Sequence, residues 1–167
     1  VLFPAMVFDS LEFLIFFVIV YGVYLCLGHR KQNLFLLGAS YFFYGFWSWK
    51  FLLLLMATQI IDFQISRGLD RLQEPAKRKR LMWLSVIVNM GTLAFFKYFN
   101  FFAENLQDTL RFFGAEVSEV TLNIVLPVGI SFYTIQEMTY ILDVYKRRVK
   151  PSPRFVDFAL FVSFFPQ

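Results

Sequence analysis

The sequence predicts an all-α fold, a polytopic transmembrane helix bundle of about five spans with additional interfacial or re-entrant helices. Three observations lead there. Of the 167 residues, 58% are hydrophobic and only 17% are charged, against about 45–50% and about 25% in soluble domains. Phenylalanine occurs 24 times, more than a soluble core of this size can use, and the mean hydropathy is +0.58. The apolar residues also fall in long runs separated by short basic loops.

The first run, Leu11 to Gly28, carries Glu12 as its only charge and is long enough to span at about 1.5 Å per residue. His29-Arg30-Lys31 follow it and no basic segment precedes it, which favours a retained helix with its N-terminus outside over a cleaved signal. The next run, Leu34 to Ile61, is interrupted only by Lys50. Gly45, the aromatic cluster FWSW and Lys50 predict a hairpin tip, giving spans over about 34–48 and 51–66. A shorter span is expected over 81–96, with Asn89 near its middle. Residues 97–119 are aromatic, amphipathic and charged, as in a helix lying in the interface. A last full span is expected over 120–142. The segment 155–165, FVDFALFVSFF, is short and reads as interfacial, re-entrant or interrupted. All of residues 1–167 are expected to belong to one membrane domain.

Charge supports this layout. Segments 29–33, 67–80 and 146–154 hold Arg30, Lys31, Arg67, Arg71, Lys77, Arg78, Lys79, Arg80, Lys146, Arg147, Arg148, Lys150 and Arg154, leaving only Lys50, Lys97 and Arg111 of the 16 basic residues elsewhere. Five spans with a hairpin at residue 48 place all three basic loops on one side, the cytoplasmic one; a single helix over 34–61 does not. The net charge of +4 then reflects topology or anionic lipid rather than nucleic acid, and no nucleic-acid partner is expected, even for Lys77-Arg78-Lys79-Arg80. The lone cysteine, Cys26, and lone histidine, His29, rule out a thiol or histidine-cluster metal centre within this sequence. Trp47, Trp49 and Tyr44 fit an interfacial aromatic belt. Asp62 and Arg67 are read as a helix end interacting locally or with water, and Asn89 as an inter-helix hydrogen bond.

The most informative stretch is LPVGISFYTIQEMTYILDVYKRR, Leu126 to Arg148. As a helix it places Gly129, Tyr133, Gln136, Tyr140, Asp143 and Arg147 on one stripe, with Glu137 at its edge and Ile130, Ile135, Met138, Ile141 and Leu142 opposite. A charged side chain at bilayer depth costs about 2.5–3.5 kcal/mol on insertion scales and turns toward protein or water. The stripe therefore lines a tunnel or ties helices together. For Asp143, a local ion pair with Lys146 or Arg147 is the simpler reading. Pro127 suits a first helical turn, and Gly129 permits a close backbone approach. No nucleophile–base pair, phosphate-binding glycine loop or metal constellation occurs in the sequence.

Four stretches resemble the membrane-bound O-acyltransferase family, in particular its alginate O-acetyltransferase branch: MVFDS from Met6 to Ser10, ASYFFYGFW at 39–47, FFKYFNFF at 95–102, and LPVGISFYTIQEMTYILDVYKR followed by DFALFVSFFPQ at 157–167. The resemblance implies a multi-helix enzyme built around an acyl-transfer tunnel. It implies a catalytic histidine in a later membrane segment, within a Trp-His-Gly-type motif that this sequence lacks. The chain is accordingly expected to be the N-terminal part of a longer enzyme, inactive alone. By resemblance, the whole enzyme is an O-acetyltransferase of the bacterial inner membrane. It would take acetyl from cytoplasmic acetyl-CoA, with no bound cofactor, and pass it toward an exported polysaccharide such as alginate through a periplasmic or extracellular partner protein. Pro127, Gly129, Ser131, Phe132, Tyr133, Gln136, Tyr140, Asp143, Pro166 and Gln167 match motif positions and are assigned to the tunnel wall or its scaffold, with Glu137 joining them from the stripe. A non-enzymatic transport or export subunit, and D-alanyl transfer to teichoic acid within the same family, are the alternatives.

Overall fold

A computed structural model describes residues 11–112 and 129–165, all of its regular structure helical. In chain order the helices are α1 (Leu11–Cys26), α2 (His29–Trp47), α3 (Trp49–Arg71), α4 (Pro75–Phe112), α5 (Ile130–Tyr145) and α6 (Phe155–Ser163). Two segments, α3 and the Pro75–Phe99 part of α4, are long and apolar enough to cross a membrane. The expected residues 1–10, 113–128 and 166–167, including Pro127, Pro166 and Gln167, lie outside the described residues.

The hairpin tip expected near residue 48 is present. Ser48 alone separates α2 from α3, with extended backbone at φ −161° and ψ 115°. The two helices then run back along each other, with Tyr41 opposite Gln59 at 2.5 Å. Near the tip a Cβ on Gly45 would stand 3.1 Å from Leu52 Cδ2, so glycine permits the close approach.

Two expected boundaries are corrected. The span 81–96 and the separate interfacial helix over 97–119 are one helix as far as Phe112. The sequence changes composition near residue 97, but it contains no proline or glycine there to break the i→i−4 ladder. At about 57 Å, α4 exceeds the roughly 30 Å hydrocarbon layer. Pro75 opens it at the first helical position, where its missing N–H costs nothing. The described part of the expected span 120–142 begins at Ile130 and continues to Tyr145. Gly129 stands just outside it at φ +80°, a left-handed conformation natural to glycine. Beyond its other end, Arg148 N–H donates to Asp143 O and Arg147 N–H to Val144 O, a paired C-terminal closure with Arg147 at φ +57°.

The three basic segments meet at one end of the bundle. Arg78 donates through Nη1 to Leu69 O and through Nη2 to Tyr145 O, the latter at 2.7 Å. Arg147 Nη2 donates to Gln73 Oε1 at 3.0 Å, and Asn33 Nδ2 to Asp157 Oδ1 at 2.9 Å. The α3–α4 corner is thereby joined to the end of α5 and the loop after it, and the start of α2 to the first turn of α6.

From this end α6 turns back into the bundle between α2, α3 and α5. Phe158, Ala159, Val162 and Ser163 are buried, so the segment 155–165, read from the sequence as interfacial, re-entrant or interrupted, holds a short helix packed inside the bundle. Three apolar cores result. Val20, Ala39, Phe43 and Phe165 join α1 and α2 to the end of α6. Leu55, Ile130, Tyr133, Phe158 and Val162 join α3, α5 and α6. Ile65, Leu69, Met82, Ile141 and Val144 pack α3, α4 and α5 at the basic end.

Candidate functional site

Between the last two cores lies a layer of buried polar groups. Helix α3 contributes Thr58, Gln59, Asp62 and Ser66, recurring every three or four residues on its inner side. Helix α4 contributes Ser85 and Asn89, and α5 contributes Tyr133, Thr134 and Glu137; all are buried. Asp62 and Glu137 are both 0% exposed.

The carboxylate of Asp62 accepts from Ser85 Oγ at 2.5 Å and from Asn89 Nδ2 at 2.6 Å. Thr58 Oγ1 approaches Glu137 Oε1 at 3.3 Å and also donates to Leu55 O at 3.0 Å. Among the described residues, Asn89 Oδ1, Glu137 Oε2 and the Tyr133 hydroxyl are buried with no hydrogen-bond partner. Buried polar atoms are ordinarily satisfied. Three such atoms lie in this one layer. Tyr133 also borders an opening of about 160 Å³ with Tyr44, Gly129, Phe132, Val162 and Phe164.

The stripe expected on α5 is rotated relative to this layer. Its inward face is Ile130, Tyr133, Thr134, Glu137, Ile141 and Val144. Glu137 thus occupies the centre of that face rather than its edge, and Ile130 and Ile141 point inward instead of away. Gln136 and Tyr140 lie to one side, against α6: Gln136 Nε2 donates to Phe161 O at 2.7 Å, and the Tyr140 ring meets Phe158 at 4.8 Å. The Tyr140 hydroxyl accepts from Ser152 N–H at 2.8 Å. These polar groups are tied to backbone because α6 fills the side they face.

Asp143 pairs with Arg148 at 3.7 Å, not with Lys146 or Arg147. Together with Tyr140, Ser152 and Asp157 it borders a cleft of about 320 Å³ at the basic end. Ser131 is half-buried. Phe132 is 60% exposed and directed outward. Gly129 and Arg147, the ends of the expected stripe, both fall outside the helix.

Asp62 is the largest correction. It was expected at a helix end in contact with water, and it is instead inside the bundle, since α3 continues beyond Arg67 to Arg71. Arg67 covers the Phe63 ring at 5.7 Å, so its charge does not end the helix. Asn89 makes the expected inter-helix hydrogen bond. Tyr44 packs against the α3–α5–α6 core rather than standing in a surface belt. The helical repeat of Thr58, Asp62 and Ser66 within an otherwise apolar segment was the available signal for this layer.

The chain is similar to bacterial acetyl-transfer proteins over almost its whole length. It is 39% identical over 96% of its residues to "Probable alginate O-acetylase AlgI" of Pseudomonas aeruginosa and 38% identical over 96% to the protein of that name from Azotobacter vinelandii. It is 31% identical over 87% to a peptidoglycan O-acetyltransferase of Helicobacter pylori. These alignments cover 31%, 32% and 32% of the respective relatives, so the chain spans about a third of the length of the curated relatives it matches. No family profile matches the chain. No solved structure matches it. The helical bundle, its apolar exterior and these relatives together make this a membrane protein chain similar over almost its whole length to bacterial O-acetyltransferases.

Proposed function

We propose that this chain forms part of a membrane enzyme that transfers acetyl groups onto an exported polysaccharide such as alginate. The observation that carries the reading is the 39% identity, over 96% of the chain, to a protein named for alginate O-acetylation. Acetyl-CoA is the proposed donor. Transfer breaks the thioester C–S bond, forms an ester C–O bond, and passes the acceptor hydroxyl's proton to a base. The family resemblance supplies that base as a histidine elsewhere in the whole enzyme. Tyr133, Glu137, Thr58, Asp62 and Asn89 are proposed to wall and polarise the path through the bundle, since this much polar surface, including the unpaired Tyr133 hydroxyl, Glu137 Oε2 and Asn89 Oδ1, is held inside an apolar bundle at a cost.

The enzyme is proposed to sit in the bacterial cytoplasmic membrane with α1 to α5 as five spans and the N-terminus outside. The joining of all three basic segments at one end supports this orientation. Acetyl-accepting protein and polysaccharide partners would then meet the opposite face. A peptidoglycan acceptor is the second reading, favoured by the Helicobacter pylori relative.

The decisive experiment reconstitutes the whole enzyme in vesicles with acetyl-labelled acetyl-CoA outside and polysaccharide acceptors inside. Label appearing as ester on alginate-type polymer is expected. Label on peptidoglycan fragments alone selects the second reading, and solute flux without any ester formation overturns both. Topology is checked in a Cys26→Ser background: Lys79→Cys should label from the cytoplasm and Glu116→Cys from outside, and the reverse pattern would overturn the orientation.

A further inference from the structure

Four consecutive basic residues, Lys77 to Arg80, open α4, yet the fold uses them differently. Lys77 pairs with Glu74 at 2.7 Å, both side chains in solvent. Arg78 is buried, donating to carbonyls at the ends of α3 and α5 and covering the Tyr145 ring at 5.8 Å. Lys79 and Arg80 are exposed, and among the described residues neither has a carboxylate partner within ion-pair distance.

These two cations stand at the head of an open groove of about 490 Å³, continued along the helix by Ala76, Trp83, Leu84 and Ile87. Residues 76, 80, 83, 84 and 87 share one face of α4 at helical spacing. Met82, Ser85 and Asn89, on the other side, are buried in the bundle. Trp83, Leu84 and Ile87 are 49–64% exposed. A pair of unpaired cations in the second turn of a spanning helix, with a tryptophan one turn deeper and aliphatic side chains below, matches a phospholipid from phosphate to acyl chain. The cations lie at headgroup depth, where anionic lipid attracts basic side chains, and tryptophan favours the same interface. Protein interfaces, in contrast, are depleted in lysine.

We propose that Lys79, Arg80 and the Trp83–Leu84–Ile87 face form a binding site for one anionic phospholipid. The site depends on α4 crossing the membrane and is independent of which acyl transfer the enzyme performs. Native mass spectrometry of the full-length protein, taken from nanodiscs of phosphatidylglycerol mixed with phosphatidylcholine, tests it.

Preferential retention of phosphatidylglycerol is expected. The Lys79→Gln/Arg80→Gln variant should lose that preference by about thirtyfold, at about fivefold per basic residue near an anionic surface. Lys77→Gln should keep it, its charge already being paired. Trp83→Ala should weaken retention of both lipids. An unchanged preference in the double variant overturns the site, as does an equal loss in Lys77→Gln or displacement of the lipid by excess inorganic phosphate. No loss in Trp83→Ala overturns its acyl-chain half. Because every substituted side chain is exposed, unchanged thermal unfolding in detergent is expected for each variant, so a loss of lipid reads as loss of the site.

Discussion

Gln136 and Glu137 are neighbours on α5, yet they belong to two regions built on different terms. On the Gln136 side, α5 meets α6 through rings and backbone: Tyr140 against Phe158 and Phe161, with Gln136 bonded to Phe161 O. On the Glu137 side, Glu137 meets Thr58 of α3, and beside it Asp62 of α3 meets Ser85 and Asn89 of α4, with some of these polar groups unsatisfied. In the first region the Gln136 amide nitrogen and the Tyr140 hydroxyl both hold backbone groups. The second keeps polar atoms without a partner, and the proposed reading of it as a path rather than a seam rests on that difference.

The largest loss of stability is expected in the seam. Phe158 is buried against Tyr140 and Phe63, and Phe158→Ala should cost about 3–5 kcal/mol through lost contacts and the cavity left behind. Reversible chemical unfolding in bicelles measures it; a cost as small as that of an exposed phenylalanine would show that α6 is not packed as described. Next comes the polar layer. Asp62→Ala leaves the Ser85 hydroxyl without its carboxylate acceptor and the Asn89 amide with only Ser85 to donate to, and should cost about 1–3 kcal/mol. Replacing all three together, as Asp62→Leu, Ser85→Ala and Asn89→Leu, should be far less destabilising than the sum, because no orphan donor remains. Acetyl transfer in the whole enzyme should fail in both variants if the layer serves the reaction, and persist in the triple variant if the layer is only structural.

The difference between these regions was only partly legible in the sequence. The hairpin at Ser48 and the shared side of the basic segments were, because a break in hydropathy and the placement of charge are local signals. Asp62 reads from the sequence as lying near a helix end because Arg67, the first charge after it, resembles the end of a span; in the fold that guanidinium rests on Phe63 and the helix continues. The long α4 was divided for a related reason, a change of composition being taken for a break in the backbone. The rotation of α5 was beyond reach of periodicity. Polarity alone cannot show that α6 occupies the Gln136 side, nor that Ile130 and Ile141 share the inward face with Glu137.

The comparison sharpens further when the two neighbours are changed singly. Gln136→Leu removes one hydrogen bond to the Phe161 carbonyl and should cost about 0.5–1.5 kcal/mol, with acetyl transfer following folded protein. Glu137→Gln keeps an acceptor for Thr58 and nearly the same volume, so unfolding should shift by less than about 1 kcal/mol. Transfer should nevertheless fall on the order of tenfold to a hundredfold, as misplacement in a reaction path does. Equal activity per folded molecule in the two variants would dissolve the distinction between seam and path.

The smallest effect is expected on the third side of α5. Phe132, a motif position by resemblance, is 60% exposed, and lipid tails solvate a leucine there as well as a phenylalanine. Phe132→Leu in the whole enzyme should therefore shift stability by no more than about 0.5 kcal/mol. A loss on the order of 3 kcal/mol would instead be the signature of a filled pocket. It would mean that this face is covered by protein, and that the opening beside Tyr133 and Phe132 is interior to the enzyme rather than open to the bilayer. The motif residue that looks least engaged in this chain thus tests most directly where the polar layer leads.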